Sequence, residues 1–200
     1  MNYDNKDIER RLQTVLSPHR YKHTVGVACT TIPLSMQYGG DVERTELAGL
    51  LHDCAKAYSD EEQLKKCIEN NIELTDIEQK NLNLIHAKLG VFLAKNEYGI
   101  EDTEVLDAIK YHTTGKPDMT LMEKIVFVSD YIEPGRNKAP NLPEIRKIAF
   151  RDIDAAVFYI MRDTLLFLYM NNPFMIDNMT KAAFEYYKGI FHEKHKKEEI

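Results

Sequence analysis

The stretch LLHDCAKAYS, residues 50–59, places a histidine and an aspartate side by side within what is otherwise the apolar face of a helix. A polar group without a hydrogen-bond partner in an apolar interior costs about 1 to 3 kcal/mol. His52 and Asp53 therefore need partners. Either each has its own hydrogen-bonding neighbour, or the two share a metal ion.

Apolar residues on both sides of this stretch recur at intervals of three to four positions, which is typical of α-helices. Three segments of the form S/T-x-x-E begin at Ser59, Thr75 and Thr120. They match the capping box, in which side chains satisfy the free amides of a first helical turn. Pro18 follows Ser17 as a proline does at the first position of a helix. With no convincing strand pattern or internal repeat, the sequence predicts an all-α fold.

The chain has 200 residues and a formal net charge of −6. This length fits one domain, and no Gly- or Ser-rich linker divides it, so we expect a single domain over residues 1–200. Proteins that bind nucleic-acid polymers usually carry clusters of Lys and Arg. The acidic balance argues against a nucleic-acid polymer as partner, and any anionic substrate needs local positive charge.

The most hydrophobic run, Ile153–Met170, contains Asp154, Arg162 and Asp163. It is too short and too charged to span a bilayer, so the sequence predicts a buried helix there and no membrane partner. The N-terminal segment MNYDNKDIER lacks the apolar core of a signal peptide, and a cytoplasmic location is expected. The three cysteines form no CxxC pair, which suits free thiols in a reducing compartment.

Four histidines and two aspartates stand out because they fall among apolar neighbours on separate predicted helices. We expect His52 and Asp53 within the third helix, and His86 in the middle of a long helix that follows Thr75. A helical bundle can bring such side chains together at its centre. A single buried histidine is more often a hydrogen-bonded core residue than a ligand, but mutual coordination would account for the whole set. The candidate metal ligands are His23, His52, Asp53, His86, His112 and Asp130.

Imidazole and carboxylate groups without thiolate suit Fe, Mn, Co, Ni or Zn. Two ions are an attractive arrangement because the two oxygens of the Asp53 carboxylate can bridge them. Open positions on the ions could hold a bridging hydroxide and the oxygens of a phosphate, as in two-metal phosphoryl displacement. The other ligands divide between the first and the second ion as His23, His52 and Asp130, and as His86 and His112.

Three cations lie close to these ligands in the sequence. Arg20 precedes His23 by three positions, and Lys56 follows Asp53 by three, so helical spacing would place each on the face of its neighbouring ligand. Arg136 follows a predicted turn, where its guanidinium could clamp a phosphate with two hydrogen bonds. For each of the three, the alternative is a solvated surface cation.

The pattern H…HD…D, here His23, His52-Asp53 and Asp130, resembles the signature of the HD superfamily of metal-dependent phosphohydrolases. Within that superfamily, five segments over roughly the first 150 residues resemble the bacterial symmetrical diadenosine tetraphosphatases of the YqeK type. In order, the segments are RYKHTVGV (20–27), LLHDCAKAYS (50–59), IHAKLGVFLAKNEYGI (85–100), DAIKYHTTGKPDM (107–119) and EKIVFVSDYIEPGR (123–136).

The resemblance implies an HD-type helical bundle with its core at about residues 17–137 and C-terminal helices at about 142–195. It implies hydrolysis of diadenosine tetraphosphate at its centre to two ADP, with a dinuclear centre of divalent or mixed-valence ions in which iron is the first choice. A metal-bridging hydroxide would attack, Asp53 or Asp130 would accept a proton, and Lys56 would protonate the leaving group. The residues expected to contact the substrate are Arg20, Lys56, Thr113, Gly115 and Arg136.

Two other functions fit the same residues. One is an HD-type nucleotidase or cyclic-dinucleotide phosphodiesterase. The other is a nucleotide-sensing module that has a structural metal and no catalytic activity. A homodimer is the default oligomeric expectation, because two-fold symmetric dimers are the commonest oligomers.

Overall fold

A computed structural model describes residues 3–196 of the protein, and within this range the chain forms α-helices, three short 3₁₀ helices and no strand. The predicted all-α fold is therefore confirmed, while residues 1–2 and 197–200 of the predicted 1–200 domain lie outside the described range. The helices are α1 Asn5–Val15, α2 Pro18–Tyr38, α3 Val42–Leu51, α4 Asp60–Glu69, α5 Asp76–Lys80, α6 Ile85–Glu97, α7 Thr103–Tyr111, α8 Leu121–Ile132, α9 Leu142–Ala149, α10 Ile153–Asn171 and α11 Asn178–Lys196. The 3₁₀ helices are Cys54–Ala57, Leu82–Leu84 and Pro173–Met175.

The helix starts follow the predicted capping signals. The hydroxyls of Ser59, Thr75 and Thr120 accept backbone N–H bonds at the starts of α4, α5 and α8, and all three capping boxes are complete. Ser17 caps α2 in the same way, with Pro18 in its first turn. Each such cap contributes about 1 kcal/mol to helix stability, so the local sequence defines where these helices begin.

Two groups of buried apolar side chains form the core. One group lies mainly among α1, α3, α6 and α7, and the other among α8, α9, α10 and α11. Helix α2 packs against α3 and α8, and α8 also packs against α7 and α10, so these two helices connect both groups. The polar side chains of the candidate site come from the elements at this junction.

Two predictions about helix extent were wrong. His52 and Asp53 lie just after the end of α3 rather than within it, because the backbone leaves helical geometry at Asp53, where φ is −111° and ψ is 18°. The long helix expected after Thr75 is interrupted at Asn81, where φ is −123° and ψ is 81°, and a 3₁₀ turn follows. His86 consequently lies in the first turn of α6 and not in the middle of a helix.

The run Ile153–Met170 does form a helix, but its last turns are not buried. Phe167 is 60% exposed and Met170 is 86% exposed, whereas Phe158 in the first half is 8% exposed. The prediction of a wholly buried helix was therefore wrong for the last turns, from Leu166 onward, which extend beyond the core. Among the described residues, no helix combines the length and the apolar character that a bilayer crossing requires.

Candidate metal centre

Four imidazole rings from different parts of the chain meet at the junction of α2, α3, α6, α7 and α8. All four histidines are buried, with His52 completely inaccessible. Successive ring centroids are 5.0 to 5.4 Å apart in the order His23, His52, His112, His86. The sequence separates these rings widely, so the bundle places four of the predicted ligands in one row.

The carboxylate of Asp53 lies along this row, and its two oxygens face different rings. Its Oδ2 is 3.7 Å from Nε2 of His23 and 3.4 Å from Nε2 of His52. Its Oδ1 is 3.4 Å from Nε2 of His86 and 3.8 Å from Nε2 of His112. One carboxylate thus separates the site into two halves, which we call the Oδ2 half and the Oδ1 half.

Asp130, from the last turn of α8, belongs to the Oδ2 half. Its Oδ1 lies 3.0 Å from Nε2 of His23, and its carboxylate is also held by the guanidinium of Arg136 at 2.7 Å. All six predicted ligands are therefore brought together. Two groups in particular, His23 with His52 and Asp130, and His52 with Asp53 and His112, have ligand atoms that all lie within 4.8 Å of one another.

The other ring nitrogens explain why each imidazole points its Nε2 at the centre. Nδ1 of His52 donates a hydrogen bond to the Gly49 carbonyl at 2.7 Å, and Nδ1 of His112 donates to the Ile109 carbonyl at 2.7 Å. Both histidines follow the last residue of a helix, where free carbonyls are available to a nearby ring.

His86 donates in the same way to the carbonyl of Asn83 at 2.7 Å, while Nδ1 of His23 lies 3.1 Å from Oε1 of Glu133. Because a carbonyl can only accept, the proton of His52, His86 and His112 resides on Nδ1 when the ring is neutral. This tautomer leaves the Nε2 lone pair free, as a metal ligand requires.

The donor set fits metal ions better than it fits hydrogen bonding alone. Nε2 of His52 is buried and has no hydrogen-bond partner, and Nε2 of His23 faces the carboxylate oxygens of Asp130 and Asp53. Nε2 of His86 and Nε2 of His112 lie 3.0 Å apart with two lone pairs directed at each other, and within residues 3–196 only the Thr113 hydroxyl is near enough to donate to either. Cations between these atoms and the oxygens of Asp53 would satisfy all of them.

The two carboxyl groups of the site, Asp53 and Asp130, both have lowered pKa values. Burial alone would raise the pKa of the Asp53 carboxyl, but the surrounding imidazoles lower that pKa well below its usual range. The pKa of Asp130 is also lowered, in spite of burial, by the neighbouring His23 ring and by the charges of His52 and Arg136. Both carboxylates are therefore ionised at neutral pH and available to cations.

The pKa values of the imidazoles shift in opposite directions in the two halves. Burial would lower the pKa of His52, but the charge of Asp53 outweighs it and raises that pKa. Burial, together with the charge of His112, lowers the pKa of His86 to about 3, and burial lowers the pKa of His112 as well. The rings of the Oδ1 half are therefore neutral at neutral pH, the state in which imidazole binds metal.

Two of the three predicted cations, Arg20 and Arg136, contact carboxylates of the Oδ2 half. Nη1 of Arg20 contacts Oδ2 of Asp53 at 2.5 Å, and Arg136 holds Asp130 as described. Lys56 lies in the 3₁₀ helix directly after Asp53 rather than on a continuous helix, and its side chain is half-buried. Burial lowers the pKa of Lys56, which the charge of Asp53 partly opposes.

A cleft of about 810 Å³ opens beside the Oδ2 half. Its lining includes His23, Arg20 and Arg136, and exposed Lys22 and Lys138 bring its cations to four against two acidic residues, Glu133 and Asp163. The chain is acidic overall, so this cleft provides the local positive charge that the sequence requires for an anionic substrate.

The two remaining predicted contacts differ. The hydroxyl of Thr113 lies 3.0 Å from Nε2 of His112 and so lines the Oδ1 half. Gly115 instead ends the α7 region with a φ of +62°, its N–H donates to the Tyr111 carbonyl, and a Cβ on it would collide with the Met161 side chain. The structure places Gly115 in the packing of the core, so its predicted substrate contact does not follow from its position.

Glu133 is a further residue of the site that was not predicted from the sequence. It is 4% exposed, its Oε1 lies 3.1 Å from Nδ1 of His23, and its Oε2 accepts the N–H of Gly135. An acidic residue directly before Pro134-Gly135 was the available signal. Its side chain faces helix α2, which a sequence pattern alone does not reveal.

Comparison with known proteins identifies the family. Residues 20–135 match the HD domain. The chain is 41% identical over 157 residues to the symmetrical bis(5'-nucleosyl)-tetraphosphatase of Bacillus subtilis. The aligned residues are 78% of this chain and 83% of that protein. It is 37% identical over 181 residues to the protein of the same name from Staphylococcus aureus, and these residues are 90% of this chain and 92% of that protein.

A crystal structure of a predicted HD superfamily hydrolase involved in NAD metabolism, from Clostridium acetobutylicum, has a TM-score of 0.87 to this fold. The two are 36% identical, and the match covers 94% of this chain and 99% of that chain. The predicted family and the predicted HD-type fold are confirmed. The chain belongs to the HD-domain superfamily and, within it, to the family of symmetrical bis(5'-nucleosyl)-tetraphosphatases.

Proposed function

We propose that the protein hydrolyses diadenosine tetraphosphate at its centre and releases two ADP. The observation that carries this proposal is the division of the site by Asp53 into two adjoining ligand sets, beside a cleft lined by cations. The relatives named for symmetrical cleavage supply the substrate. Two ions, with iron as the first choice and Mn, Co, Ni or Zn as substitutes, are part of the proposal.

When bound, the two ions would polarise phosphate oxygens and lower the pKa of water from about 15.7 towards 7, so that hydroxide forms near neutral pH. The ligands to the first ion would be His23, His52 and Asp130, those to the second His86 and His112, with Asp53 shared between them. The rest of the reaction depends on what the side chains of the chain do around that centre.

Arg20 and Arg136 would hold the central phosphates. Both guanidinium groups already contact the carboxylates of the Oδ2 half, so both are directed at the place where a phosphate would meet the centre. A planar guanidinium can bind two phosphate oxygens at once and can stabilise the charge that develops on them during displacement. Thr113 would offer its hydroxyl from the Oδ1 half.

Proton transfer is assigned to three groups. Asp53 or Asp130 would accept the proton released from the attacking water. Lys56 would donate a proton to the ADP leaving group, and its lowered pKa makes it a better acid than an exposed lysine. Oxygens of the leaving phosphate that are already shielded by cations need little such help, so we expect Lys56 to contribute less than the ligands.

The long substrate explains the size of the cleft. Cleavage at the centre of a tetraphosphate leaves one nucleotide on each side of the scissile bond. The cleft beside the Oδ2 half can receive one of these halves, with Lys22 and Lys138 near its phosphates and the rings of Tyr131 and Phe167 on its walls.

The direct test is a product assay with three substrates, namely diadenosine tetraphosphate, a nucleoside monophosphate and cyclic di-GMP. The expected result is ADP as the sole product from the first substrate, with slow or no turnover of the others. ATP plus AMP would show asymmetric cleavage, and rapid turnover of the monophosphate or cyclic dinucleotide would show one of the alternative functions. Retention of metal with no turnover of any substrate would identify a sensing module.

Three further proposals accompany this function. The division into an HD core at about 17–137 and C-terminal helices at about 142–195 is supported by the HD match over residues 20–135 and by the start of helix α9 at Leu142. A cytoplasmic location is supported by three free cysteines, of which Cys54 and Cys67 are buried. Limited proteolysis and fractionation of the native cells would test them.

The third is a homodimer. Residues 164–175 carry no charge and include exposed apolar side chains such as Phe167 and Met170, so two copies can meet there without like-charge repulsion. Sedimentation equilibrium should give twice the chain mass, and a Met170→Glu variant should sediment as a monomer. A monomeric wild-type protein would contradict this.

A further inference from the structure

We propose that Glu133 is a positioning residue that joins the metal ligand His23 to the turn that carries Arg136. The role of that turn rests on the proposed function. The contacts themselves are independent of it. They consist of one buried carboxylate, two glycines that leave room for it, and an arginine from a helix beyond the matched HD segment.

The carboxylate of Glu133 uses both oxygens. Oε1 accepts the Nδ1 proton of His23 at 3.1 Å, and Oε2 accepts the N–H of Gly135 at 2.5 Å. The backbone carbonyl of the same residue accepts the N–H of Arg136 at 3.0 Å. One residue therefore sets the direction of the His23 ring and the shape of the turn that follows it.

Two glycines make this placement possible. A Cβ on Gly26 of helix α2 would lie 2.6 Å from Oε2 of Glu133, and a Cβ on Gly135 would lie 2.9 Å from the same oxygen. Both distances are shorter than a carbon and an oxygen tolerate without displacement. Glycine at these two positions therefore lets the carboxylate reach His23 from the side of α2.

Arg146 of helix α9 holds the turn from outside. Its Nε donates to the carbonyl of Ile132 at 2.9 Å, and its Nη2 donates to the carbonyls of Glu133 at 2.8 Å and Arg136 at 3.0 Å. The HD match ends at residue 135, so a helix beyond it stabilises the last part of the site. The turn is thus held on its inner side by Glu133 and on its outer side by Arg146.

Glu133 therefore supports both the metal ligand His23 and the turn that carries Arg136. With Nδ1 of His23 bonded to Glu133, the lone pair of Nε2 is directed towards Asp53 and Asp130. Carboxylates that bond to a ligating histidine orient the ring and make it a stronger ligand, and their loss typically weakens metal binding by about 10- to 100-fold. Glu133 would act on the metal through His23, and on the substrate through Arg136.

The first test is Glu133→Gln. The amide can accept from His23 with its oxygen, but its NH₂ group then faces the N–H of Gly135, and the reverse orientation opposes two donors at His23. We expect the affinity of the metal-free protein for Co²⁺, followed by visible absorption, to fall by about 10- to 100-fold. Glu144→Gln, which changes an exposed glutamate of α9, should leave that affinity unchanged.

The second test uses Gly26→Ala, which leaves Glu133 in the sequence but displaces its carboxylate. It should weaken Co²⁺ binding in the wild-type background and have no further effect in a Glu133→Ala background, where the carboxylate is already absent. Equal losses in both backgrounds would overturn the proposal, as would wild-type Co²⁺ affinity in Glu133→Gln. If the glutamine variant does not fold, the comparison of Gly26→Ala in the two backgrounds decides the matter.

Unfolding midpoints of the metal-free variants separate positioning from a general loss of stability. A positioning role predicts a change in Co²⁺ affinity beyond anything that the change in the metal-free midpoint explains. Because Co²⁺ binding is measured without substrate, these results stand whether or not diadenosine tetraphosphate is cleaved. In a protein that does cleave it, Glu133→Gln should also raise KM through the displaced Arg136.

Discussion

The two halves of the site around Asp53 share one carboxylate but differ in everything else. The Oδ2 half contains a second carboxylate, Asp130, and borders the open cleft through Arg20 and Arg136. Among the described residues, the contacts of the Oδ1 half come from the buried rings of His86 and His112 and the hydroxyl of Thr113, and the charge of Lys56 also acts on His86. The Oδ2 half is therefore formed largely by charged groups, and the Oδ1 half largely by buried, neutral imidazole rings.

This difference predicts an unequal pair of cation sites. The Oδ2 half can offset the charge of a divalent ion with two carboxylates, whereas the Oδ1 half offers a share of one. Removing water strengthens electrostatic attraction but also makes an unpaired charge costly. We therefore expect the Oδ1 half to fill only when Asp53 is ionised, and to lose its ion more readily than the Oδ2 half.

The largest effect should come from Asp53→Asn, which removes the charge shared by both halves. Metal ions contribute several kcal/mol to phosphoryl transfer, so hydrolysis should fall by at least about 10³-fold. Elemental analysis of protein purified without chelator should show the loss of both ions. Asp107→Asn, at an exposed position of α7, should retain both ions and full activity.

Retention of two ions by Asp53→Asn would mean that the carboxylate does not bridge, and the comparison between its two oxygens would lose its basis. Loss of one ion alone would assign Asp53 to a single half. Either outcome is read directly from the ratio of metal to protein.

A smaller effect is expected from the double variant His86→Ala and His112→Ala, which empties the Oδ1 half and spares the other. Its metal content should fall from two ions per chain to one, and activity should fall on the order of 10²-fold, because one ion still orients the phosphate. The metal-free midpoint of unfolding should fall, because removal of the two buried rings leaves a cavity and deprives the carbonyls of Asn83 and Ile109 of their donors. Unchanged hydrolysis would eliminate the dinuclear mechanism.

Much of this arrangement could be predicted from the sequence because it depends on residue identity. The capping boxes at Ser59, Thr75 and Thr120 are local, and all three are formed. The six candidate ligands could be selected because polar groups among apolar neighbours are costly unless paired. Their convergence in the structure supports their proposed role.

The features that sequence analysis missed depend on tertiary contacts or on backbone geometry. The end of α3 at Leu51 and the break at Asn81 are seen in the backbone dihedrals, and of the two points Asn81 alone has a residue type that favours turns and helix ends. The packing of Gly115 against Met161, which is 46 positions later in the chain, is such a tertiary contact, and the substrate contact predicted for Gly115 stays a prediction. Glu133 was overlooked because its partner His23 comes from another helix.

The smallest effect is on the free energy of unfolding of the metal-free protein as the pH changes. His86 and His52, one from each half, should contribute to it with opposite signs. The pKa of His86 is lowered to about 3 by burial and by the charge of His112. An unfolded histidine has a pKa of about 6.5, so between these values the unfolded chain binds a proton that the folded chain does not. His86 should therefore reduce stability as the pH falls, by up to about 1.4 kcal/mol per pH unit. His52, whose pKa is raised, contributes stability that is present below about pH 6.5 and is lost as the pH rises through the folded value.

Urea denaturation of chelator-treated protein across a pH series would measure both contributions. His86→Gln should flatten the loss of stability between about pH 6 and pH 4, and His52→Gln should flatten the loss above about pH 7. His192→Gln, on the exposed surface of α11, provides the matched control. If His86→Gln and His52→Gln changed the same limb of the profile, the two halves would share one electrostatic environment, and the predicted inequality of their cation sites would have no physical basis.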